Sequence, residues 1–255
     1  MPYVTLKKEG RVAVISIERP EALNALSRQI IDEIEGLVET VEEDGEIGSI
    51  VFYSEKNFAA GADIKAMMDL SVEEAKEFSF VRVMSKIRKL EIPTIAAIEG
   101  YALGGGLELA LTCDLRLAAE TAKMGFPEIN LGIMPGAGGT IAAPRLIGAA
   151  KAKELIFTGR TVSAEEAVQM GLINYSVSAD SVREEALRLA KRLVEKAPVA
   201  MRMAKESIDR GLQAGSMDEG LEIELELWSR LFATEDQKEG MAAFVEKRPA
   251  QYKGK

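Results

Sequence analysis

Among its 255 residues the chain has no histidine and a single cysteine, Cys113. Without histidine there is no Ser-His-Asp or Cys-His relay, and the usual nitrogen ligand for zinc is gone. One thiol permits neither an internal disulfide nor a thiolate metal cluster. Acid–base chemistry therefore falls to Asp, Glu, Lys or Tyr. Long apolar runs are missing too: none approaches the roughly 18 residues that a membrane helix needs. The N-terminus, Met1-Pro-Tyr-Val-Thr-Leu-Lys-Lys-Glu9, shows no apolar signal region. The expectation is a cytoplasmic protein without a membrane partner. Positive charge is in deficit, with 32 Lys and Arg against 41 Asp and Glu and a net charge of −9. That balance argues against general nucleic-acid or anionic-membrane binding. Nucleotide fingerprints are absent as well. G-x-G-x-x-G fails at Leu109 when started at Gly104 and at Ile141 when started at Gly136, and no Gly-Lys-Ser/Thr triplet or G-x-S-x-G occurs.

What is present reads first as alternating strands and helices. Val4–Lys7 and Val12–Ile17 form two short strands joined at Glu9-Gly10. From Leu23 onward, Leu26, Ile30, Ile34, Leu37, Val38 and Val41 recur at helical spacing. Ile50–Tyr53 and Thr94–Ile98 read as core strands, and Leu115–Ala118 as another. Ser71-Val-Glu-Glu74 is a capping box opening a helix with Phe78, Val81, Met84 and Ile87 on its apolar face. From Leu155 the character becomes nearly all helix. Ser163/Glu166, Ser181/Glu184, Ser216/Glu219 and Thr234/Gln237 repeat the capping pattern. Strand–helix alternation fades near Val177. These features set a mixed α/β core over residues 1–195 and a helical portion over residues 196–255. Leu221, Ile223, Leu225, Leu227, Trp228, Leu231 and Phe232 give the latter more apolar surface than one isolated helix needs. It is buried either against another subunit or within the same chain.

Chemistry concentrates in a few places. Glu108 lies in an apolar helical pattern just after Gly104-Gly105-Gly106, where ionised groups are normally excluded. Glu128 lies at a Pro-marked turn after a β-like run. Small residues around Ala62, and the glycines around Gly105, can each present a backbone N–H unobstructed by side chains. Two such groups aimed at one point make an oxyanion hole. Two carboxyls beside it can activate a water and deliver a proton. The competing reading is that each buried Glu is simply paired with Arg or Lys.

Several stretches together resemble the crotonase (enoyl-CoA hydratase/isomerase) superfamily. They are Phe58-Ala-Ala-Gly-Ala-Asp-Ile-Lys65, Ala102-Leu-Gly-Gly-Gly-Leu-Glu-Leu-Ala110 and Pro127-Glu-Ile-Asn-Leu-Gly-Ile-Met-Pro-Gly-Ala-Gly-Gly139. Arg19–Leu26 and Phe232–Lys247 resemble its N- and C-terminal patterns, so the resemblance covers nearly the whole chain. It implies an α/β fold: a spiral of ββα units followed by a helical trimerisation region, assembled as a trimer or dimer of trimers. It implies an acyl-CoA thioester whose oxygen sits between the N–H groups of Ala62 and Gly105. Glu108 matches the carboxylate that activates water, and Glu128 the donor of a proton to the α-carbon. Ala60, Asp63, Ile64 and Lys65 match positions lining the CoA site. The implied reaction is hydration of trans-2-enoyl-CoA to 3-hydroxyacyl-CoA, with no metal and no cofactor beyond the CoA carried by the substrate. A 3,2-enoyl-CoA isomerase would need only one base and no water. An RNA-binding protein on the same scaffold would need a basic stripe, which this composition does not supply.

Overall fold

The structure, a computed structural model, describes residues 2–255. Strands β1 (Val4–Glu9) and β2 (Val12–Ile17) form the expected antiparallel hairpin, with Gly10 at φ +64°. Helix α1 (Arg28–Glu43) follows, and then strand β3 (Ser49–Tyr53). The helical pattern of α1 does not extend back to Leu23. Pro20–Ala22 form a 3-10 turn, Leu23 and Asn24 are left-handed, and Leu26 makes a β-bridge to Ala62. The helix begins only where the Ser27 hydroxyl accepts the Ile30 N–H, at 3.3 Å. From there Ile30, Ile31, Ile34, Val38 and Val41 are buried as one stripe.

Helices α2 (Val72–Phe78) and α3 (Val81–Arg88) replace the single helix expected after Ser71. The Ser71/Glu74 capping box is present, but the chain turns at Ser79, where ψ is 136°, and Phe80 is buried in the break. Strand β4 (Thr94–Ile98) leads to β5 (Tyr101–Leu103), helix α4 (Gly105–Thr112), β6 (Leu115–Ala119) and β7 (Lys123–Gly125). Next come α5 (Gly139–Ile147), α6 (Ala149–Thr158), β8 (Thr161–Ser163), α7 (Ala164–Met170) and β9 (Tyr175–Val177). Strands β8 and β9 interrupt a region that the capping pattern presented as nearly all helix. Each is three residues long and is fixed by pairing with a distant strand, β8 with β7 and β9 with β6. Helix α8 (Val182–Val194) starts after a 3-10 turn. The Ser181 hydroxyl there donates to the Ser178 carbonyl instead of capping.

Two sheets result. The larger runs β1-β2-β3-β4-β6-β9, parallel except for its first pair, and the smaller runs β5-β7-β8. Strands β2, β3 and β4 are buried along almost their whole length, which explains their unbroken apolar sequences. Ala59 bridges to Ala102 and so extends the smaller sheet beside β5. The same step therefore recurs. β3, β4 and β6 each add a strand to the large sheet. Ala59, β5 and β7 follow each with a short pairing in the small one, and a helix comes next. Repetition of that step builds a spiral of ββα units.

The chain divides into two compact units. One contains the segments up to Leu90 and Thr94–Ala190, including both sheets. The other contains Glu91–Pro93 and Lys191–Lys255. Its helices are α9 (Pro198–Gly211), α10 (Met217–Leu231) and α11 (Glu235–Glu246), with α9 packed on α10. Ser216 and Thr234 cap α10 and α11 as expected. The buried Asp236 carboxylate accepts the N–H groups of Lys253 and Gly254, pinning the end of the chain to the start of α11. On α10, Leu221, Leu225 and Trp228 are exposed and Leu227 is buried. Among the described residues no helix is long and apolar enough to cross a membrane.

The close approach of α4 to the small sheet gives a stability test. A Cβ on Gly106 would stand 2.1 Å from the Ala59 carbonyl oxygen, whereas one on Gly36 in α1 meets nothing within 4 Å. Gly106→Ala should cost about 3 kcal/mol, at the upper end of overpacking penalties. Gly36→Ala should add up to about 1 kcal/mol through helix propensity. Urea unfolding midpoints of the two variants will move in opposite directions if both contacts are as described.

Candidate active site

The site is built where β5 turns into α4. Gly104 adopts φ +50°, ψ −123°, a conformation open in practice only to glycine. A second constraint acts at the same residue: a Cβ there would lie 2.8 Å from Glu128 Oε1. The carboxyl of Glu128 occupies the place of the missing side chain. All eight residues of α4 are buried, and Glu108 among them is only 4% exposed. Its position in the first helical turn favours negative charge. Its Oε1 accepts the backbone N–H groups of Ala137 and Gly139, both at 2.7 Å. The glycine-rich segment Ile133–Thr140 is therefore a cradle for a carboxylate. Gly139 is required there because a Cβ would collide with Phe126, Pro135 and Glu108 Oε1 at 2.7, 2.9 and 3.0 Å.

Glu128 stands in the 3-10 turn Pro127–Leu131, directly after β7. It is buried, and its Oε2 has no hydrogen-bond partner among the described residues. Burial pushes its carboxyl up to about 7, against a bond from its own backbone N–H, and the negative charge of Glu108 adds to the rise. Burial also raises Glu108, while the N–H groups of the Gly136–Gly139 loop pull the other way. Neither carboxyl is paired with Arg or Lys among the described residues, so the reading of each as a simple buried ion pair does not hold. One acid is held by backbone donors, and the other keeps an open oxygen.

Beside them lie the two backbone donors. The bridge between Leu26 and Ala62 uses the neighbours of Ala62. Leu26 N–H donates to the Gly61 carbonyl at 2.7 Å, and Asp63 N–H donates to the Leu26 carbonyl at 2.8 Å. The Ala62 N–H is thereby turned away and meets no acceptor among the described residues. Gly105 is the first residue of α4, and its N–H has no intrahelical acceptor. A Cβ on Gly105 would sit 3.7 Å from the Ala62 nitrogen, 3.6 Å from Leu26 Cδ1 and 3.8 Å from Phe80 Cε2. Absence of that side chain leaves a small space beside the Ala62 nitrogen, bordered by the apolar Leu26 and Phe80.

The remaining predicted site residues fall on the same loop with different surroundings. Ala60 N–H donates to the Leu23 carbonyl at 3.1 Å. Ile64 and Lys65 are exposed, and Lys65 has no ion-pair partner among the described residues. The Asp63 carboxylate is paired with Arg19 at 2.8 Å, which holds it below the usual carboxylate range. Sequence reasoning missed Arg19, the buried Asn24, Phe80 and the carboxylate cradle at Ala137 and Gly139. Their roles arise from contacts 25 to 44 residues apart in the chain. Only the glycine-rich run before α5 left a visible signal. No three Asp, Glu or Cys side chains among the described residues gather as a metal site.

Comparison with known proteins adds a family to this geometry. The enoyl-CoA hydratase/isomerase family model matches residues 7–255. A probable enoyl-CoA hydratase of Mycobacterium tuberculosis is 47% identical over 255 residues, 99% of each chain. A short-chain-enoyl-CoA hydratase of Clostridium acetobutylicum is 43% identical over 249 residues, 96% of this chain and 95% of its own. The crystal structure of an enoyl-CoA hydratase from Bacillus anthracis superposes with a TM-score of 0.95 at 39% identity, covering 99% of this chain and 100% of that one. The spiral of ββα units is thus the fold of solved crotonase relatives.

The environment of Glu128 has a measurable pH signature. Its carboxyl holds a proton more tightly folded than unfolded, where the value is near 4.5. Its contribution to stability is therefore complete below about 4.5 and is lost as pH rises through about 7. Between pH 5 and 8 the native protein should lose roughly 2.5 kcal/mol relative to Glu128→Gln, in which this position cannot ionise. Urea unfolding of both proteins across that range measures the difference. Parallel curves would show that Glu128 titrates normally.

Proposed function

The chain belongs to the enoyl-CoA hydratase/isomerase (crotonase) family and is an enoyl-CoA hydratase, and from that premise we propose that it hydrates trans-2-enoyl-CoA between Glu108, Glu128 and the N–H groups of Ala62 and Gly105. One observation supports this assignment above the others: two buried carboxyls without cation partners lie beside two backbone donors without acceptors. In this reading the thioester oxygen accepts both N–H groups. Their pull draws electron density from the 2,3 double bond and makes the β-carbon electrophilic. Each donor of this kind lowers the barrier by about 3 to 4 kcal/mol.

The carboxyls then divide the work. Glu108, anchored through Oε1 to the cradle, acts as the carboxylate that takes a proton from water as the water oxygen bonds to the β-carbon. Glu128, with a carboxyl near 7, carries a proton at neutral pH and gives it to the α-carbon. The π bond breaks, one C–O and one C–H bond form, and the proton on Glu108 passes to Glu128 to restore the start. The steps need no cofactor beyond the CoA that the substrate brings. Ala60, Ile64 and Lys65 border that CoA, with the free ammonium of Lys65 suited to its phosphates. The exposed apolar residues of α10 and α11, among them Trp228, Met241 and Phe244, serve assembly of a trimer or dimer of trimers.

Loss of conjugated-thioester absorbance from crotonyl-CoA in water, with 3-hydroxybutyryl-CoA as product, is the expected assay result. Glu108→Gln and Glu128→Gln should each lower kcat about a thousandfold while leaving butyryl-CoA binding intact. Near-normal turnover in either variant would refute its assigned role. Conversion of a 3-enoyl-CoA without hydration of crotonyl-CoA would replace the reaction by isomerisation.

A further inference from the structure

Asp63 directly follows the Ala62 donor, yet its carboxylate is engaged within the protein. Arg19 Nη1 donates to Asp63 Oδ2 at 2.8 Å and to the Ala25 carbonyl at 3.3 Å. Asp63 Oδ1 accepts the Lys65 N–H at 3.2 Å, capping the short turn Ile64–Ala66. The Arg19 N–H donates to Asn24 Oδ1 at 2.8 Å, and Asn24 Nδ2 donates to the Asn57 carbonyl at 2.6 Å. Asn24 is 2% exposed. Residues 19–26 thus form a clasp around the segment 57–63. It takes the Asn57 carbonyl, the Ala60 N–H and the Gly61 carbonyl before the donor, and the Asp63 N–H after it. The clasp is bent tightly enough to hold Leu23 and Asn24 left-handed, a strained backbone for a leucine. Within the gripped loop the Ala62 N–H is left without an acceptor among the described residues, and its nitrogen lies 3.7 Å from where a Cβ on Gly105 would stand.

We propose that Arg19, Asn24 and Asp63 are positioning residues for the oxyanion hole, holding the Ala62 N–H in register with that of Gly105, and that Asp63 is not a contact of the CoA moiety. The proposal rests on the reading of Ala62 and Gly105 as the donors to the thioester oxygen. Its physical basis is the steep dependence of electrostatic stabilisation on donor placement: a shift of about 1 Å can cost about a hundredfold in rate.

Asp63→Asn keeps an oxygen for the Lys65 N–H and removes the charge facing Arg19. Its kcat on crotonyl-CoA should fall about tenfold to a hundredfold, with butyryl-CoA affinity within about twofold of the native value. The red shift of a bound dimethylaminocinnamoyl-CoA chromophore, which reports polarisation of the thioester carbonyl, should shrink in parallel. Arg19→Lys should retain more turnover and more red shift than Arg19→Gln. That pair of variants decides the matter if Asp63→Asn does not fold. Weakened butyryl-CoA binding with unchanged kcat and unchanged red shift would make Asp63 a CoA contact and overturn the proposal, as would variants indistinguishable from the native protein. A native protein inactive on crotonyl-CoA would remove the hydratase reading instead. The red shift would still test the clasp.

Discussion

A carboxylate buried in an apolar helix has to be supplied with hydrogen-bond donors, and most of the site can be understood from how Glu108 obtains them. No Arg or Lys is paired with it among the described residues. Its partners are the N–H groups of Ala137 and Gly139, at the far end of a loop that begins after β7. Backbone donors stabilise charge without introducing a mobile cation that could neutralise the acid permanently. They also demand space, which is why Gly139 cannot carry a side chain. The same economy governs Gly104, whose missing side chain is replaced by the carboxyl of Glu128. Glycines here are placed by collisions with the two buried carboxyls as much as by backbone angle.

The two acids are thereby made unequal by their surroundings. Both are raised by burial, but only Glu108 is gripped by a loop, and Glu128 retains an oxygen without a partner. A group with an open lone pair and a value near neutrality can exchange protons at low cost, whereas a doubly anchored carboxylate keeps its orientation. In the proposed reaction this asymmetry lets two identical side chains divide the work without a third titrating residue. In a chain without histidine, that is the route left open.

Much of this was legible in the sequence, for reasons that differ by feature. Strands β2, β3 and β4 announced themselves as unbroken apolar runs because both of their faces are covered. The caps at Ser27, Ser71, Ser216 and Thr234 are local chemistry, and the last three carry a Glu or Gln three residues on that marks a helix start in the sequence. Glu108 stood out because its neighbours are apolar. Strands β5, β8 and β9 escaped notice: three residues carry too little pattern, and their existence depends on a partner strand elsewhere. The start of α1 is not legible from periodicity, because Leu23 and Leu26 fit a helical period while serving another purpose, one holding a left-handed turn and the other bridging to Ala62. Arg19 and Asn24 carry no signal of their own in the sequence, since nothing local distinguishes a residue that acts on a loop 33 to 44 positions away.

The bridge between Leu26 and Ala62 has a further consequence, for biosynthesis. The groups that meet at the site come from the clasp at 19–26, the loop at 57–63, the start of α4, the turn at Glu128 and the cradle at 137–139, and β3, β4 and β6 must align before these can meet. Contacts separated by so many residues form late, because loop closure has to precede them. In the proposed mechanism the last of these groups, the N–H of Gly139, is supplied only after more than half of the 255-residue chain has been made. A chain that stops short of that point lacks part of the cradle that holds the Glu108 carboxylate.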